Sequence, residues 1–234
     1  MTSDDRYLEV VYNEDDRPFT EYPDLLTRHL AEKFDLQAGE RILDVGCGRG
    51  EFLRGFIRCG LSGSGVDQSG IAAKICPPPA EVRTANLEVD AIPYADNSFD
   101  VVFSKSVIEH FYHPERLVTE IFRVVRPGGL VITMCPDWEA NYRIYFEDYT
   151  HRTPFMATSL RDIQVINGFE DVTCEHFVQL PIIWAHPALK PLSGAARYLC
   201  PPRLKSKSKF IRFSKEIMLL SSARKPLDRR VAGS

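Results

Sequence analysis

The sequence predicts an α/β fold built on a doubly wound, mostly parallel sheet of seven strands with helices on both faces. Two observations indicate this fold. Five short strand-like segments alternate with helical segments between residues 41 and 134, and two further strand-like segments follow. Residues 99–104 are apolar except at Asp100 and Ser104, as expected for a strand that helices cover on both faces.

The first half of the chain predicts a helix followed by alternating strands and helices. Residues 22–35 form the first helix, because Leu26, Leu30 and Phe34 recur at helical spacing. The elements that follow are a strand at 41–45, a helix at 50–58, a strand at 63–67, a helix at 69–75 and a strand at 81–85. Three consecutive prolines after residue 76 end the short helix, since proline cannot continue one.

The second half predicts four more strands. Its elements are a strand at 99–104, a helix at 114–125, a strand at 130–134, a helix at 159–167 and strands at 169–178 and 215–222. Pro127-Gly128-Gly129 is expected to end one helix and Gly168 the other. Residues 181–215 then form an insertion between the last two strands.

Length and composition fit one soluble globular domain. The chain has 234 residues, of which 44% are hydrophobic and 26% charged, and its net charge of −3 indicates no particular partner. The six cysteines form no Cys-x-x-Cys pair, so we expect them to be reduced. No signal pattern begins the sequence, and no apolar run approaches the ~20 residues of a membrane span. We therefore expect a cytoplasmic protein.

Three alternate glycines, Gly46, Gly48 and Gly50, follow the first predicted strand and precede a helix. Such a corner exposes backbone N–H groups at the positive end of a helix, with no side chain to block a ligand. Glu51 stands where a dinucleotide-binding loop would have its last glycine, which counts against a diphosphate ligand and a nicotinamide-dependent oxidoreductase. Asp44, near the end of the strand, suits a ligand with a cationic amine.

The chain also resembles a known enzyme family. The matching segments are residues 43–50, 65–69, 86–88, 92–100, 107–111 and 123–129. In this order they resemble the motifs of class I S-adenosylmethionine-dependent methyltransferases, and most closely the methyltransferase type 11 branch. The resemblance covers roughly residues 38–136.

The resemblance implies a Rossmann-like methyltransferase fold in a single domain over residues 1–234. Residues 38–136 would form its cofactor-binding half, and residues 137–234 its acceptor-side half, with a basic insertion at about 181–215. Residues 1–37 would form a lid over the cofactor or a helix packed on the sheet. The implied cofactor is S-adenosyl-L-methionine, with S-adenosyl-L-homocysteine as the product.

The resemblance also implies the cofactor-binding residues. They are Asp44, Gly46, Cys47, Gly48, Gly50, Asp67, Gln68, Asn86, Leu87 and Ser104. Asp44 and the glycine amides would hold the amino acid tail, Asp67 the two ribose hydroxyls, and Gln68, Asn86 and Leu87 the adenine.

Some of these residues have structural alternatives. Ser104 would lie near the methionine portion of the cofactor, or would cap a helix instead. Asp44 could cap the end of its strand, and Asp67 could be an ordinary turn residue. Asn86 departs from the aspartate that is usual in the family.

Catalytic candidates come from the segments that should border the acceptor. An alcohol or phenol acceptor needs a general base. His110 follows Glu109 in the segment after the fourth strand, and His151 and Tyr149 belong to the long connection after the fifth strand. His151 is either a base, or a residue that positions the acceptor, or else a histidine that braces the loop through a hydrogen bond to Asp148. The Asp/Glu/Asn constellation of a magnesium-dependent catechol site is not recognisable, so we expect no metal.

The sequence favours a hydroxyl of a small molecule, sugar or glycan intermediate as the acceptor of the methyl group. The segment after the fourth strand lacks the Asn-Pro-Pro-Tyr pattern of enzymes that methylate adenine or glutamine nitrogens. Basic residues over 203–215 leave open a lipid-linked or phosphorylated acceptor at a membrane surface, or RNA, although no RNA-binding module accompanies them. A protein that binds the cofactor without catalysis, and the oligomeric state, also stay open.

Overall fold

The computed structural model describes residues 18–76, 80–199, 214 and 216–227. The strands are β1 Arg41–Val45, β2 Ser62–Asp67, β3 Glu81–Thr84, β4 Phe99–Lys105, β5 Val125–Pro136, β6 Glu170–Val178 and β7 Ile217–Arg224. They form one sheet in the order β3-β2-β1-β4-β5-β7-β6. The predicted seven-stranded sheet is thereby confirmed.

Eight α-helices are described. They are α1 Tyr22–Lys33, α2 Glu51–Arg58, α3 Ala72–Ile75, α4 Pro114–Val124, α5 Trp138–Asn141, α6 Ala157–Ile166, α7 Pro181–Ala185 and α8 Lys190–Leu199. Single 3-10 turns add Ile108–His110, Tyr145–Glu147 and Pro187–Leu189. None of the helices in the described ranges combines the length and the apolar character needed to cross a membrane.

The direction of the strands fixes where a ligand can bind. β1 pairs in parallel with β2 on one side and with β4 on the other, so the order of the strands reverses at β1. In open α/β sheets this reversal opens a crevice beyond the carboxyl ends of the strands. β7 is antiparallel to both β5 and β6, which closes the sheet on the far side.

Two apolar layers cover the sheet. On one face, Leu43 packs in a cluster with Leu117 of α4 and Leu160 of α6. On the other face, a second cluster holds Leu30 of α1 and Phe56 of α2, together with residues of β1, β4, β5 and β7. Each such fully buried side chain contributes about 2 kcal/mol to the free energy of folding, and the layers fix the strand ends that carry the site.

The structure adds three helices that were not predicted, α5, α7 and α8, and it differs most from two of the predicted elements. β5 begins at Val125 and includes Pro127-Gly128-Gly129, because Gly128 N donates to Lys225 O at 2.8 Å and Lys225 N donates to Gly129 O at 3.1 Å. The helix predicted at 69–75 is shorter, since the chain after β2 first turns around the Asp67 carboxylate, which accepts a hydrogen bond from Ser69 N.

Candidate functional site

The predicted glycine corner joins β1 to α2. Gly46, Gly48 and Gly50 have φ angles of +74°, +49° and +71°, which side-chain-bearing residues rarely adopt. Gly46 N and Cys47 N both donate to Val66 O of β2, which holds the corner against the neighbouring strand. A Cβ on Gly46 would lie 2.3 Å from Val107 Cγ2, whereas a Cβ on Gly48 would meet nothing within 4 Å. The corner is therefore open beside Gly48 and closely packed at Gly46.

Asp44 lies under this corner and is almost fully buried, with 2% of its surface exposed. Its Oδ2 atom has no hydrogen-bond partner among the described residues. Burial, with a smaller contribution from the nearby Asp67, raises the pKa of Asp44 well above its usual value. A buried carboxylate oxygen without a partner is costly, so this position favours a cationic donor from a ligand.

Asp67 ends β2 and faces the glycine corner. Its two carboxylate oxygens accept hydrogen bonds from Gly48 N and from Ser69 N, each at 2.8 Å. These two amides fix the orientation of the carboxylate at the mouth of the corner, and the following Gln68 is exposed to solvent. The placement of both residues fits the roles that the family resemblance implies.

Asn86 and Leu87 follow β3 on the same side of the sheet. Asn86 is exposed, its Oδ1 accepts a hydrogen bond from Glu88 N at 3.1 Å, and its own N–H donates to Asp90. The Leu87 side chain is buried in the core, so this residue can offer a ligand only its backbone. The side-chain oxygen of Asn86 therefore already accepts a hydrogen bond within a local turn, and a bound adenine would share this oxygen with Glu88 N.

Ser104 and Cys47 complete the predicted cofactor residues. Ser104 pairs in register with Val45 across β1 and β4, and its buried Oγ has no hydrogen-bond partner in the described part of the chain. Ser104 therefore does not cap a helix in the described part of the chain, which was the alternative role predicted for it. Cys47 is buried, and this burial raises the pKa of its thiol. The neutral thiol packs as a small apolar side chain.

A second cluster forms where the turn after β4 meets the loop after β5. Arg152 N and Thr153 N donate to Glu109 O at 2.8 and 3.0 Å and so fasten this loop to the turn. The imidazoles of His110 and His151 meet edge to face, with ring centroids 4.9 Å apart. Two histidines predicted from separate segments are therefore neighbours.

The hydrogen bonds of these histidines fix their tautomers. Thr150 Oγ1 donates to Asp148 Oδ1 at 2.5 Å and lies 2.9 Å from His110 Nδ1. Because the threonine has one proton, it accepts from His110 Nδ1–H. His151 Nδ1 lies 2.6 Å from the Tyr145 carbonyl oxygen, which can only accept a hydrogen bond. The Nδ1–H of His151 therefore donates to this backbone oxygen and not to Asp148. When the two rings are neutral, the Nε2 atom of each carries a lone pair.

Glu109 lies beside these two rings and is fully buried. Neither of its carboxylate oxygens has a hydrogen-bond partner of ordinary geometry within the described ranges. Burial raises the pKa of Glu109 to about 8, and Asp148 adds to the rise, while nearby backbone amides and Lys105 offset part of it. One potential ligand atom each from Glu109, His110 and His151 lies within 4.8 Å of the others.

Glu109 was not among the site residues predicted from the sequence. Two signals could have indicated it: the Glu-His pair that follows one strand, and a further histidine in the loop that follows the neighbouring strand. Tyr149 was predicted, but 75% of its surface is exposed, and the structure does not bring its side chain into the cluster. Tyr145 of the same loop is buried instead and packs on His151, with ring centroids 4.5 Å apart.

A cleft of about 160 Å³ opens beside His151. The ends of β5 and β7 form part of its wall, and Asn141, Asp148 and Gln179 bring polar groups to it. A larger groove of about 650 Å³ lies between α1 and the end of α2. We place the site at the smaller cleft, because the larger groove adjoins the segments that lead into the strands, at the opposite end of the sheet from the glycine corner.

The described part of the N-terminal segment reaches the glycine corner. The Phe19 ring lies 4.5 Å from the Arg49 guanidinium and 5.5 Å from that of Arg54. This contact is compatible with the predicted lid, of which residues 1–17 lie outside the described residues.

The insertion after β6 begins with apolar residues that pack mainly inward. Ile183 is buried, and the Trp184 ring stacks on His29 with centroids 4.8 Å apart, whereas Ile182 is half exposed. These contacts leave little of the apolar segment for a lipid surface. The basic residues predicted to meet an anionic acceptor lie outside the described residues: Arg203, Lys205, Lys207, Lys209, Arg212 and Lys215.

Part of the chain is similar in sequence to known methyltransferases. Residues 43–133 match a family model described as a methyltransferase domain. An uncharacterized methyltransferase of Mycolicibacterium vanbaalenii is 36% identical over 114 residues, which are 44% of this chain and 41% of that protein. The chain therefore spans less than half the length of this relative.

Two solved structures are similar in fold. A SAM-dependent methyltransferase from Archaeoglobus fulgidus is 20% identical with a TM-score of 0.65, over 92% of this chain and 99% of that one. Phosphoethanolamine N-methyltransferase 2 of Haemonchus contortus, in complex with S-adenosyl-L-methionine, is 19% identical with a TM-score of 0.64, over 97% of this chain and 60% of that one. At these identities the likeness is one of fold.

Proposed function

We propose that this chain moves a methyl group from S-adenosylmethionine to an acceptor hydroxyl. The match of residues 43–133 to a family model described as a methyltransferase domain supports the transfer of a methyl group. The contact between Gly46 and Val107 carries the proposal. It joins the glycine corner to the turn that bears Glu109 and His110, so a ligand at the corner and an acceptor beside the histidines would be neighbours.

The residues at the corner fit this cofactor. The Oδ2 atom of Asp44, which has no hydrogen-bond partner among the described residues, suits the ammonium group of the amino acid tail of the cofactor. Asp67, held by Gly48 N and Ser69 N, suits the ribose diol, because a carboxylate can accept from several donors. When bound, S-adenosylmethionine supplies a methyl group on a sulfonium sulfur, which leaves with the bonding electrons as a thioether.

His151 is the proton acceptor that the geometry favours. Its Nδ1–H donates to the Tyr145 carbonyl, so the lone pair of Nε2 is available to the acceptor. As the oxygen forms its bond to the methyl carbon, the hydroxyl proton passes to Nε2. The Tyr145 carbonyl keeps its hydrogen bond to the ring and stabilises the resulting imidazolium, and His110 packs against the same ring.

The cleft beside His151 supports a small polar acceptor. Asn141, Asp148 and Gln179 line it and could hydrogen-bond to the further hydroxyls of a small molecule, sugar or glycan intermediate. The inward packing of Ile183 and Trp184 weakens the case for a lipid-linked acceptor.

Calorimetry and a transfer assay test the proposal. We expect the full chain to bind S-adenosylhomocysteine and not NAD, since Glu51 stands where a dinucleotide loop needs glycine. We then expect radiolabelled methyl transfer within a panel that contains hydroxylated sugars and phenols beside matched amines. Binding of NAD alone would contradict the cofactor assignment, and transfer only to amines would contradict the hydroxyl acceptor.

A further inference from the structure

We propose that Glu109, His110 and His151 bind a divalent transition-metal ion such as zinc, and that this ion holds the acceptor oxygen. The binding of the ion stands on the geometry of the three side chains alone. The role of the ion toward the acceptor rests on the proposed function. None of the three ligand residues is among those proposed to hold the cofactor, so the two sets of residues are separate.

The three side chains have the composition and spacing of a metal site. One potential ligand atom from each lies within 4.8 Å of the others. Ligand atoms about 2.1 Å from a tetrahedral ion lie about 3.4 Å apart, so modest side-chain rotation closes the site. Two imidazoles and one carboxylate are a ligand set of catalytic zinc sites, which keep their fourth position open for water or substrate.

Both histidines are already oriented as metal ligands are. A ligating histidine usually donates its second ring N–H to a carbonyl or carboxylate, which fixes the tautomer and makes the other nitrogen more basic. His151 Nδ1–H donates to the Tyr145 carbonyl. His110 Nδ1–H donates to Thr150, whose hydroxyl in turn donates to Asp148. Both Nε2 lone pairs are thereby left for an ion.

Glu109 provides an independent indication of a missing ligand. It is fully buried, and neither carboxylate oxygen has a hydrogen-bond partner within the described ranges. A buried carboxylate without a partner costs several kcal/mol when it is charged. Lys105 and nearby backbone amides offset part of this cost. A cation between the Glu109 carboxylate and the two histidine rings would compensate the remainder.

The chemistry of the ligands selects the class of ion. Calcium and magnesium prefer sites made mostly of oxygen atoms, whereas imidazole nitrogen suits zinc, cobalt and related ions. Methyl transfer to oxygen changes no oxidation state at the metal. A zinc-type ion that acts only as a Lewis acid is therefore sufficient.

The ion would activate the acceptor in place of the free His151 base. A hydroxyl bound at the open position has its pKa lowered by the ion, and its proton is released to solvent as it binds. The oxygen then attacks with a lone pair as the bond between carbon and sulfur breaks, with its electrons on sulfur. His151 stays neutral throughout, because its Nε2 lone pair is on the metal.

Metal titration of the full chain without a histidine tag tests the site. The protein is treated with a chelator, exchanged into metal-free buffer and titrated with zinc by calorimetry, and with cobalt while the visible spectrum is recorded. We expect one ion per chain and a cobalt spectrum of nitrogen and oxygen ligation. Glu109→Gln and His151→Ala should each weaken zinc binding at least tenfold.

His186→Ala is the matched control, because His186 is exposed on the insertion and lies outside the cluster. It should bind zinc like the wild type. Absence of saturable binding would overturn the proposal, and so would binding that neither Glu109→Gln nor His151→Ala weakens. The near-isosteric glutamine retains the packing of Glu109, and a thermal unfolding curve for each variant separates lost binding from lost folding.

The role of the ion is separable from the proposed function. Binding of S-adenosylhomocysteine to the metal-free protein tests the cofactor assignment by itself. Methyl transfer that disappears on metal removal and returns with zinc would support the inference. Undiminished transfer by the metal-free protein would overturn the role of the ion while leaving His151 as the base.

Discussion

The imidazoles of His110 and His151 meet edge to face with their centroids 4.9 Å apart, although one follows β4 and the other belongs to the loop after β5. Hydrogen bonds from Arg152 N and Thr153 N to the Glu109 carbonyl hold the two segments together. The contact brings one potential ligand atom of each ring within 4.8 Å of one from the buried Glu109 carboxylate. Variants can therefore test the glycine corner and this cluster separately.

Asp67→Ala should weaken binding of S-adenosylhomocysteine by about 2 kcal/mol, or roughly 30-fold, because it removes charge-assisted hydrogen bonds to the ribose. Part of the loss would come from the glycine corner, since Asp67 also accepts from Gly48 N. Calorimetry measures the affinity. Asp162→Ala, at an exposed aspartate of α6, is the control. Equal affinity in the two variants would remove the ribose assignment.

Gly46→Ala should destabilise the protein by about 2 kcal/mol or more, because φ is +74° and the new Cβ would lie 2.3 Å from Val107 Cγ2. Gly48→Ala should cost less, since φ is also positive but the space is open. Urea unfolding measures both. Val107→Ala should recover part of the Gly46→Ala loss by removing the clash. Equal costs at the two glycines would contradict the close packing at Gly46.

His151→Ala should lower the rate of methyl transfer by about 10²- to 10⁴-fold while leaving the affinity for S-adenosylhomocysteine intact. The reason is that His151 lies at the acceptor cleft and not at the glycine corner. Single-turnover kinetics and calorimetry measure the two quantities. His186→Ala should change neither. A His151→Ala variant with full activity would exclude His151 both as the base and as a metal ligand.

The contribution of Glu109 to the free energy of unfolding of the metal-free protein should fall as the pH rises from about 4.5 to about 8. The pKa of Glu109 is raised from 4.5 to about 8 by burial, so in this window the folded state holds a proton that the unfolded state releases. This contribution then falls by on the order of 1 kcal/mol per pH unit. The titratable neighbours are Lys105, Asp148 and the two histidines.

Urea unfolding at several pH values compares the wild type with Glu109→Gln. The glutamine variant should show a flatter dependence, because its side chain binds no proton in this range. Glu139→Gln, at an exposed position of α5, should keep the wild-type slope. Identical slopes in the wild type and Glu109→Gln would show that Glu109 is not buried in a protonated form.

Thr150→Val should weaken zinc binding by about 10- to 100-fold, because valine cannot accept the hydrogen bond from His110 Nδ1–H. Thr150→Ser keeps the hydroxyl and should bind zinc nearly as the wild type does. The same calorimetric titration measures both. Equal affinities of the valine and serine variants would exclude an orienting role for Thr150.

Much of the cofactor corner could be predicted from residues adjacent in sequence. The strand at Arg41–Val45, the three glycines and the helix from Glu51 all lie within one short segment, and Asp67 ends the next strand. The Pro-Gly-Gly segment was harder to predict. Locally it ends a helix, whereas in the fold it pairs with the chain beyond β7 and so extends β5.

The sequence by itself determined the sheet, the glycine corner and the methyltransferase motifs, because apolar periodicity, glycine at positive φ and strand-end carboxylates are local properties. The tertiary structure alone decided that Glu109 is buried with no hydrogen-bond partner of ordinary geometry among the described residues. It also decided that Tyr145 and not Tyr149 packs on His151, and that the two imidazoles meet. Burial and the tautomer of a histidine depend on groups brought from distant segments. No pattern of neighbouring residues encodes them.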